Sequence, residues 1–254
     1  MDDDEVIESL VRVDSSGDVV HITLNRPRRH NALVPTLLRE FRAALAQAAT
    51  ARAVTLQGSG PNFSTGGDVK AFADQAPETL GDYATEVVGE LNAAILALID
   101  LPVPVVAAAH GVTTGGSLGL LLASDVVIAA PDSSFAPYYA QVGFSPDGGW
   151  TALLPDRIGF GRARSWLLCN NTIDGATAAA WGLADELVPD PAAAAASRAA
   201  RIAELQPGAL RRTKELCRPD RDRLAGRLEA ELEQFVVQID SPEARSGMAR
   251  FLGR

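Results

Sequence analysis

The chain predicts an α/β protein: a spiral core of repeated strand–strand–helix turns, followed by a helical appendage. Three observations carry that prediction. Short apolar runs bounded by turn residues alternate with segments of helical spacing through residues 1–191. From about Ala192 the strands stop, and Ala, Arg and Glu recur at helical spacing. A length of 254 residues suits one large core or a core plus a small appendage. The division expected is therefore 1–191 for the core and 192–254 for the helical region.

Val6 to Val13 and Val19 to Leu24 alternate and read as two strands around the turn Ser15-Ser16-Gly17-Asp18. Pro35 to Thr50 sets Leu37, Leu38, Phe41 and Leu45 at helical spacing, and Ala53 to Gln57 follows as a short strand. Residues 82 to 100 read as a helix that gives way, through the breakers Pro102 and Pro104, to a strand over 103 to 109. A helix from about 116 to 123 then precedes a strand over 125 to 130. The last helical pattern runs through Arg223 to Ile239 and breaks at Ser241-Pro242.

Hydrophobic residues make up 47% and charged residues 22%, the balance of a soluble globular protein. The apolar stretch Leu118 to Ala123 is bounded by Ser117, Ser124 and Asp125, too short for a membrane span. Met1-Asp2-Asp3-Asp4-Glu5 lacks the basic and apolar regions of a signal peptide, so a cytoplasmic location is expected. Cys169 and Cys217 form no CxxC and have no His beside them, so packing is expected of them and no metal site. A net charge of −9 argues against nucleic-acid binding, which needs a basic footprint.

Two glycine turns stand out. Ser64-Thr65-Gly66-Gly67-Asp68-Val69-Lys70 follows the run Ala53 to Leu56, and His110-Gly111-Val112-Thr113-Thr114-Gly115-Gly116-Ser117-Leu118-Gly119 follows Val105 to Ala109. Each can aim a backbone N–H at one shared point, which is what an oxyanion hole requires. Glycine suits the task because a missing Cβ lets a ligand oxygen approach the main chain. The rival reading is two ordinary tight turns. Gly115-Gly116-Ser117-Leu118-Gly119 also matches the nucleophile elbow of α/β-hydrolases, but that fold needs a His after the Ser, and His21, His30 and His110 all precede it. Ser117 is thus read as a small packing residue. Neither Gly58-Ser59-Gly60 nor the Gly66 to Lys70 segment completes a nucleotide-binding motif. Asp68 reads as a turn or helix cap.

Around these turns stand Ile22-Thr23-Leu24-Asn25-Arg26-Pro27, Asn31-Ala32-Leu33, Pro104 to Ala108, Ala123-Ser124-Asp125 and Ala179-Ala180-Trp181-Gly182-Leu183-Ala184. In this order and spacing they resemble the crotonase, or enoyl-CoA hydratase/isomerase, superfamily over residues from about 6 to 254. The resemblance implies a crotonase-type spiral. It puts the two oxyanion donors on the N–H groups of Gly67 and Gly116, and it implies an acyl-CoA thioester as substrate, in fatty acid metabolism, with no cofactor beyond the coenzyme A of that substrate. It further implies that 192–254 packs against neighbouring subunits in a trimer or dimer of trimers. Arg28, Lys70, Phe251 and Arg254 fall where the family lines the CoA nucleotide, cations suiting phosphates and an aromatic face suiting adenine.

Hydratases of the family carry two glutamates, at the positions that here hold Gly119 and Tyr139. What remains is Asp147, in Gly143-Phe144-Ser145-Pro146-Asp147-Gly148-Gly149, a segment similar to the Pro-Asp-Gly version of family isomerases. One carboxylate suffices for a double-bond shift, taking the α-proton and returning it at the γ-carbon. Blind to the family, Asp147 reads as an N-cap for a helix starting at Gly148. Other readings keep Asp147 as the nucleophile of a dehalogenase or thioester hydrolase, whose His and Trp partners align with Asn92 and Tyr139. An enoyl-CoA hydratase and a catalytically weak acyl-CoA binder complete the alternatives. Tyr83, Tyr138, Tyr139 and Trp150 are candidates for shaping the acyl pocket.

Overall fold

The structure, a computed structural model, describes residues 9–254. It opens with a hairpin of β1 (Val11–Ser16) and β2 (Val19–Leu24), paired antiparallel from Val11 opposite Leu24 to Ser16 opposite Val19. Strand β2 has the predicted bounds, whereas β1 runs three residues beyond the predicted Val13, so Gly17-Asp18 alone makes the turn, with Gly17 at φ +58°. The reason is that β1 is an edge strand whose side chains are exposed after Val11, so backbone pairing rather than apolar alternation defines it. Val6 to Glu8 lie outside the described residues.

Helix α1 (Pro35–Ala48) buries Leu37, Leu38, Phe41 and Leu45 and leads into β3 (Ala53–Gly58). A short α2 (Val69–Ala73) precedes α3 (Pro77–Asp100), which starts five residues before the sequence predicts because Pro77 is at its first position, where a missing N–H costs nothing. Next come β4 (Val105–Ala109) and β5 (Val112–Thr114). The predicted 116–123 helix is a 3-10 turn, Gly115–Ser117, continued by α4 (Leu118–Leu122). Then follow β6 (Val126–Ala129), β7 (Ser134–Ala136), α5 (Tyr139–Val142), α6 (Leu154–Ile158) and α7 (Phe160–Cys169). The core closes with β8 (Ile173–Asp174), α8 (Gly175–Trp181) and β9 (Glu186–Leu187).

The strands form a six-stranded sheet in the order β1-β2-β3-β4-β6-β9 and a three-stranded sheet in the order β5-β7-β8. From β2 to β9 the large sheet is parallel. Each spiral turn sends one strand to each sheet: β4 then β5, β6 then β7, with Ser64 after β3 bridging to Thr113 at the small sheet's edge. Every residue of β4 is buried, as expected of a parallel strand covered on both faces. One cover is α1, α3 and α4, which meet the sheet in the main core.

The other cover is α9 (Pro191–Ala203), whose Ala195 and Ala199 pack on Val106, Ala108 and Ile128. After α10 (Pro207–Cys217), the long α11 (Arg221–Ile239) lies against α3, and α12 (Pro242–Phe251) against α5 and α2. The last two helices thereby meet Phe72, Val87, Val88 and Val142 in a second apolar cluster, through Phe235 and Met248. That cluster walls the site described next.

Candidate active site

The two glycine turns meet. Gly66, at φ +77°, approaches so closely that an added Cβ would sit 2.6 Å from the Thr114 carbonyl oxygen, and Gly115 stacks on it from the other turn. Only glycine fits this crossing. Ser117, fully buried, ties the loops by donating toward the Ser64 and Thr114 carbonyls at 3.0 and 2.7 Å, and Trp150 Nε1 holds the Gly115 carbonyl at 2.8 Å.

This crossing leaves two donors unspent. Leu33 bridges Gly67 by giving its N–H to Gly66 and accepting from Asp68, so the Gly67 N–H faces away from Leu33. Gly116 lies in the first turn of its helix, where an N–H has no intrahelical acceptor. Among the described residues, neither N–H has a hydrogen-bond partner. Both glycines line one inner chamber of about 50 Å³, walled by Phe72, Val87, Leu91, Phe144 and Phe235. The three phenylalanines stand with ring centroids 5.3 to 5.9 Å apart.

Among the described residues, Asp147 is the one carboxylate on that chamber. It is buried beside Gly116, where an added Cβ would fall 2.8 Å from Oδ1. Tyr139 donates its hydroxyl to Oδ1 at 2.5 Å, while Oδ2 accepts nothing from the described residues. The side chain caps no helix; only its main-chain carbonyl accepts from Trp150. Burial is the main cause that pushes the Asp147 carboxyl up to about 7; the Tyr139 hydrogen bond opposes the rise, and the negative charge of Glu231 adds to it. Burial, then the Asp147 charge, raises Tyr139 well above the ordinary phenol value, so it remains a donor.

The positions that hold glutamate in hydratases are closed. A Cβ on Gly119 would sit 2.1 Å from the Gly148 carbonyl oxygen, and the ring of Tyr139 fills the second position. Asn92, at the dehalogenase His position, donates to the Leu228 carbonyl at 3.1 Å.

An outer chamber of about 470 Å³ adjoins, sharing Thr65, Gly67 and Tyr138. Arg28, Lys70 and Phe251 line it together, with Arg29 and His30. Arg254 is apart: it lines a neighbouring hollow with Phe72 and Met248 and stands 3.7 Å from Asp74, which also binds Lys70. Asp68 caps α2 through Ala71 and accepts from Arg26 and Arg29, both at 2.8 Å. Burial works to raise its pKa, but the two guanidiniums outweigh burial and hold it below the usual range. Of the pocket-shaping candidates, Tyr138 and Tyr139 line the inner chamber, whereas Trp150 and Tyr83 stand behind Tyr139 and Phe72. Among the described residues no group of three or more His, Cys, Asp or Glu is placed to hold a metal, and no helix is long and apolar enough to cross a membrane.

The sequence reading missed Phe235 and Glu231. Both lie on the buried stripe of α11 with Leu228 and Leu232, and the signal available was a glutamate interrupting an apolar stripe. Glu231 accepts from the N–H groups of Gly149, Thr151 and Ala152, doing for this turn the capping that the sequence offers to Asp147.

Two free main-chain donors above an apolar chamber with one carboxylate define a class of site: one that can polarise a carbonyl and move a proton beside it. The chain belongs to the enoyl-CoA hydratase/isomerase family, whose model matches residues 14–254. It is 38% identical to a probable enoyl-CoA hydratase of Rhodobacter capsulatus over 181 residues, 71% of this chain and 69% of that protein. It is 32% identical to the 1,2-epoxyphenylacetyl-CoA isomerase of Escherichia coli over 193 residues, 74% of each. The crystal structure of an enoyl-CoA hydratase/isomerase from Mycobacterium paratuberculosis superposes with a TM-score of 0.88 at 26% identity, covering 95% of this chain and 98% of that one.

Proposed function

We propose that this protein is an acyl-CoA isomerase that shifts a double bond in an enoyl- or cyclic acyl-CoA thioester. The observation that carries the reading is Asp147, a lone carboxylate on an apolar chamber with one oxygen held by Tyr139 and the other free. In this mechanism the thioester carbonyl accepts hydrogen bonds from the Gly67 and Gly116 N–H groups. Asp147 Oδ2 removes the α-proton, and the electron pair moves into a dienolate whose oxyanion those donors stabilise. The same carboxyl returns the proton at the γ-carbon, leaving the double bond conjugated with the carbonyl. Pre-aimed donors of this kind are worth on the order of 10²–10³ in rate each. The fixed positive end of the helix beginning at Gly115 adds to them.

Support against hydration is steric as well as chemical. Water addition asks for carboxylates at Gly119 and Tyr139, and Gly119 has no room for any side chain. In this reading the outer chamber takes the coenzyme, with Arg28 and Lys70 near phosphates and Phe251, 53% exposed, offering its face to adenine. Arg254 reaches that chamber only if it leaves Asp74.

A panel of thioesters tests the proposal. Conversion of a 3-enoyl-CoA to the 2-enoyl-CoA is expected to exceed hydration of crotonyl-CoA. Dominant hydration overturns it, as does trapping of a covalent acyl-aspartate, which belongs to the dehalogenase or hydrolase chemistry of a nucleophilic Asp147. Binding without turnover of any thioester makes the protein a carrier.

A further inference from the structure

Glu231 is a buried carboxylate, 4% exposed, on a helix far along the chain from Asp147. Its Oε2 accepts from Gly149 N–H at 2.7 Å; its Oε1 accepts from Thr151 N–H at 2.6 Å, Ala152 N–H at 2.9 Å and Thr151 Oγ1 at 2.6 Å. No cation pairs with it among the described residues; Arg227, one turn earlier on α11, donates instead to the Thr151 carbonyl. A buried charge without a counter-ion is costly, and a structural cap needs none. Burial raises the Glu231 carboxyl and its four donors oppose that rise. The three main-chain partners can only donate, which favours the carboxylate form, whereas the Thr151 hydroxyl can donate or accept.

We propose that Glu231 is a positioning residue for Asp147: from α11 it grips the 149–152 turn that begins two residues beyond the base and brings a second buried carboxyl behind it. The groups facing Asp147 are few. From α5 comes Tyr139, which donates to it; from α3 comes the apolar Leu91, on the same chamber; and Glu231 of α11 holds the 149–152 turn behind it. Among the described residues no cation pairs with either carboxylate. The α3 side also fixes α11 itself, because Asn92 Nδ2 donates to the Leu228 carbonyl one turn before Glu231. Helix α11 therefore fixes the turn that follows a residue on another element, and its charge adds to the rise that burial gives that residue. The catalytic consequence rests on the reading of Asp147 as the base, whereas the coupling of the two carboxyls does not.

The test is a ¹³C-carboxyl NMR titration of Asp147 in wild type and Glu231→Gln, without substrate, beside pH profiles of kcat/KM for the best thioester of the panel. Glu231→Gln is expected to lower the Asp147 midpoint by about 0.5 to 1 pH unit and move the acidic limb of kcat/KM by the same amount. A purely structural Glu231 would lower the melting temperature and leave the midpoint unmoved, which overturns the proposal. If Glu231→Gln does not fold, the wild-type titration decides: a Glu231 resonance that is still a carboxylate at pH 7 supports the coupling, and a protonated one overturns it. A midpoint that shifts without the acidic limb sinks the isomerase role of Asp147 and leaves the coupling standing.

Discussion

In the proposed mechanism Asp147 trades stability for chemistry. Burial lifts its carboxyl to about 7, close to the pH at which a general base works best. The folded protein thus holds a proton that the unfolded chain gives up at its ordinary value of 3.8. The contribution to stability is full below that lower value and is lost as pH rises through about 7. Asp147→Asn removes the penalty while still accepting from Tyr139. The variant is expected to lose about two to four decades of turnover yet keep CoA binding. Against wild type, it should gain up to roughly 4 kcal/mol at pH 8, a difference that closes toward pH 4. Urea unfolding at the two pH values checks the sign: a variant less stable than wild type at pH 8 would mean that Asp147 supports the turn. In the wild type, kcat/KM should rise with pH to half its maximum near 7, since the base must be ionised.

At the scale of elements, α11 supplies one wall of the inner chamber. Phe235 closes the chamber with Phe72 and Phe144 and is 3% exposed. Phe235→Ala is expected to cost about 3–5 kcal/mol of stability, because the rings around it cannot fully collapse. It should also raise the kcat/KM ratio of longer to shorter acyl groups by about tenfold or more, the discrimination one or two methylenes carry in an apolar pocket. Thermal unfolding and a chain-length series measure both. An unchanged ratio in the folded variant would remove Phe235 from the pocket wall. The stripe of α11 was legible in sequence, but its partner was not: nothing in Leu228 to Phe235 says that Glu231 will meet residues 149 to 152. The glycine turns are the opposite case, since strand, turn and helix each follow from neighbouring residues.

At the scale of the whole molecule, large apolar side chains stand exposed on the helices: Phe160 and Leu168 on α7, Leu216 on α10 and Val237 on α11. Leu216 is 86% exposed and Leu168 79%. We propose that Leu216 and Val237, on the 192–254 helices, belong to subunit contacts of a trimer or dimer of trimers. Light scattering coupled to gel filtration is expected to give three or six times the chain mass. A monomer at micromolar concentration would sink this assembly.

The sequence by itself determined the spiral of strands and helices, the two glycine turns and the family. Those features are written locally, in period, in turn chemistry and in the absence of a Cβ where chains cross. Tertiary structure alone decided that Tyr139 donates to Asp147, that Glu231 binds the turn beyond it across 82 residues, and that Arg254 turns to Asp74. The physical reason is range. Propensity and periodicity act over a few residues, whereas the proton affinity of a buried carboxylate is set by whichever charges and donors the fold brings to it, and these come from α5 and α11.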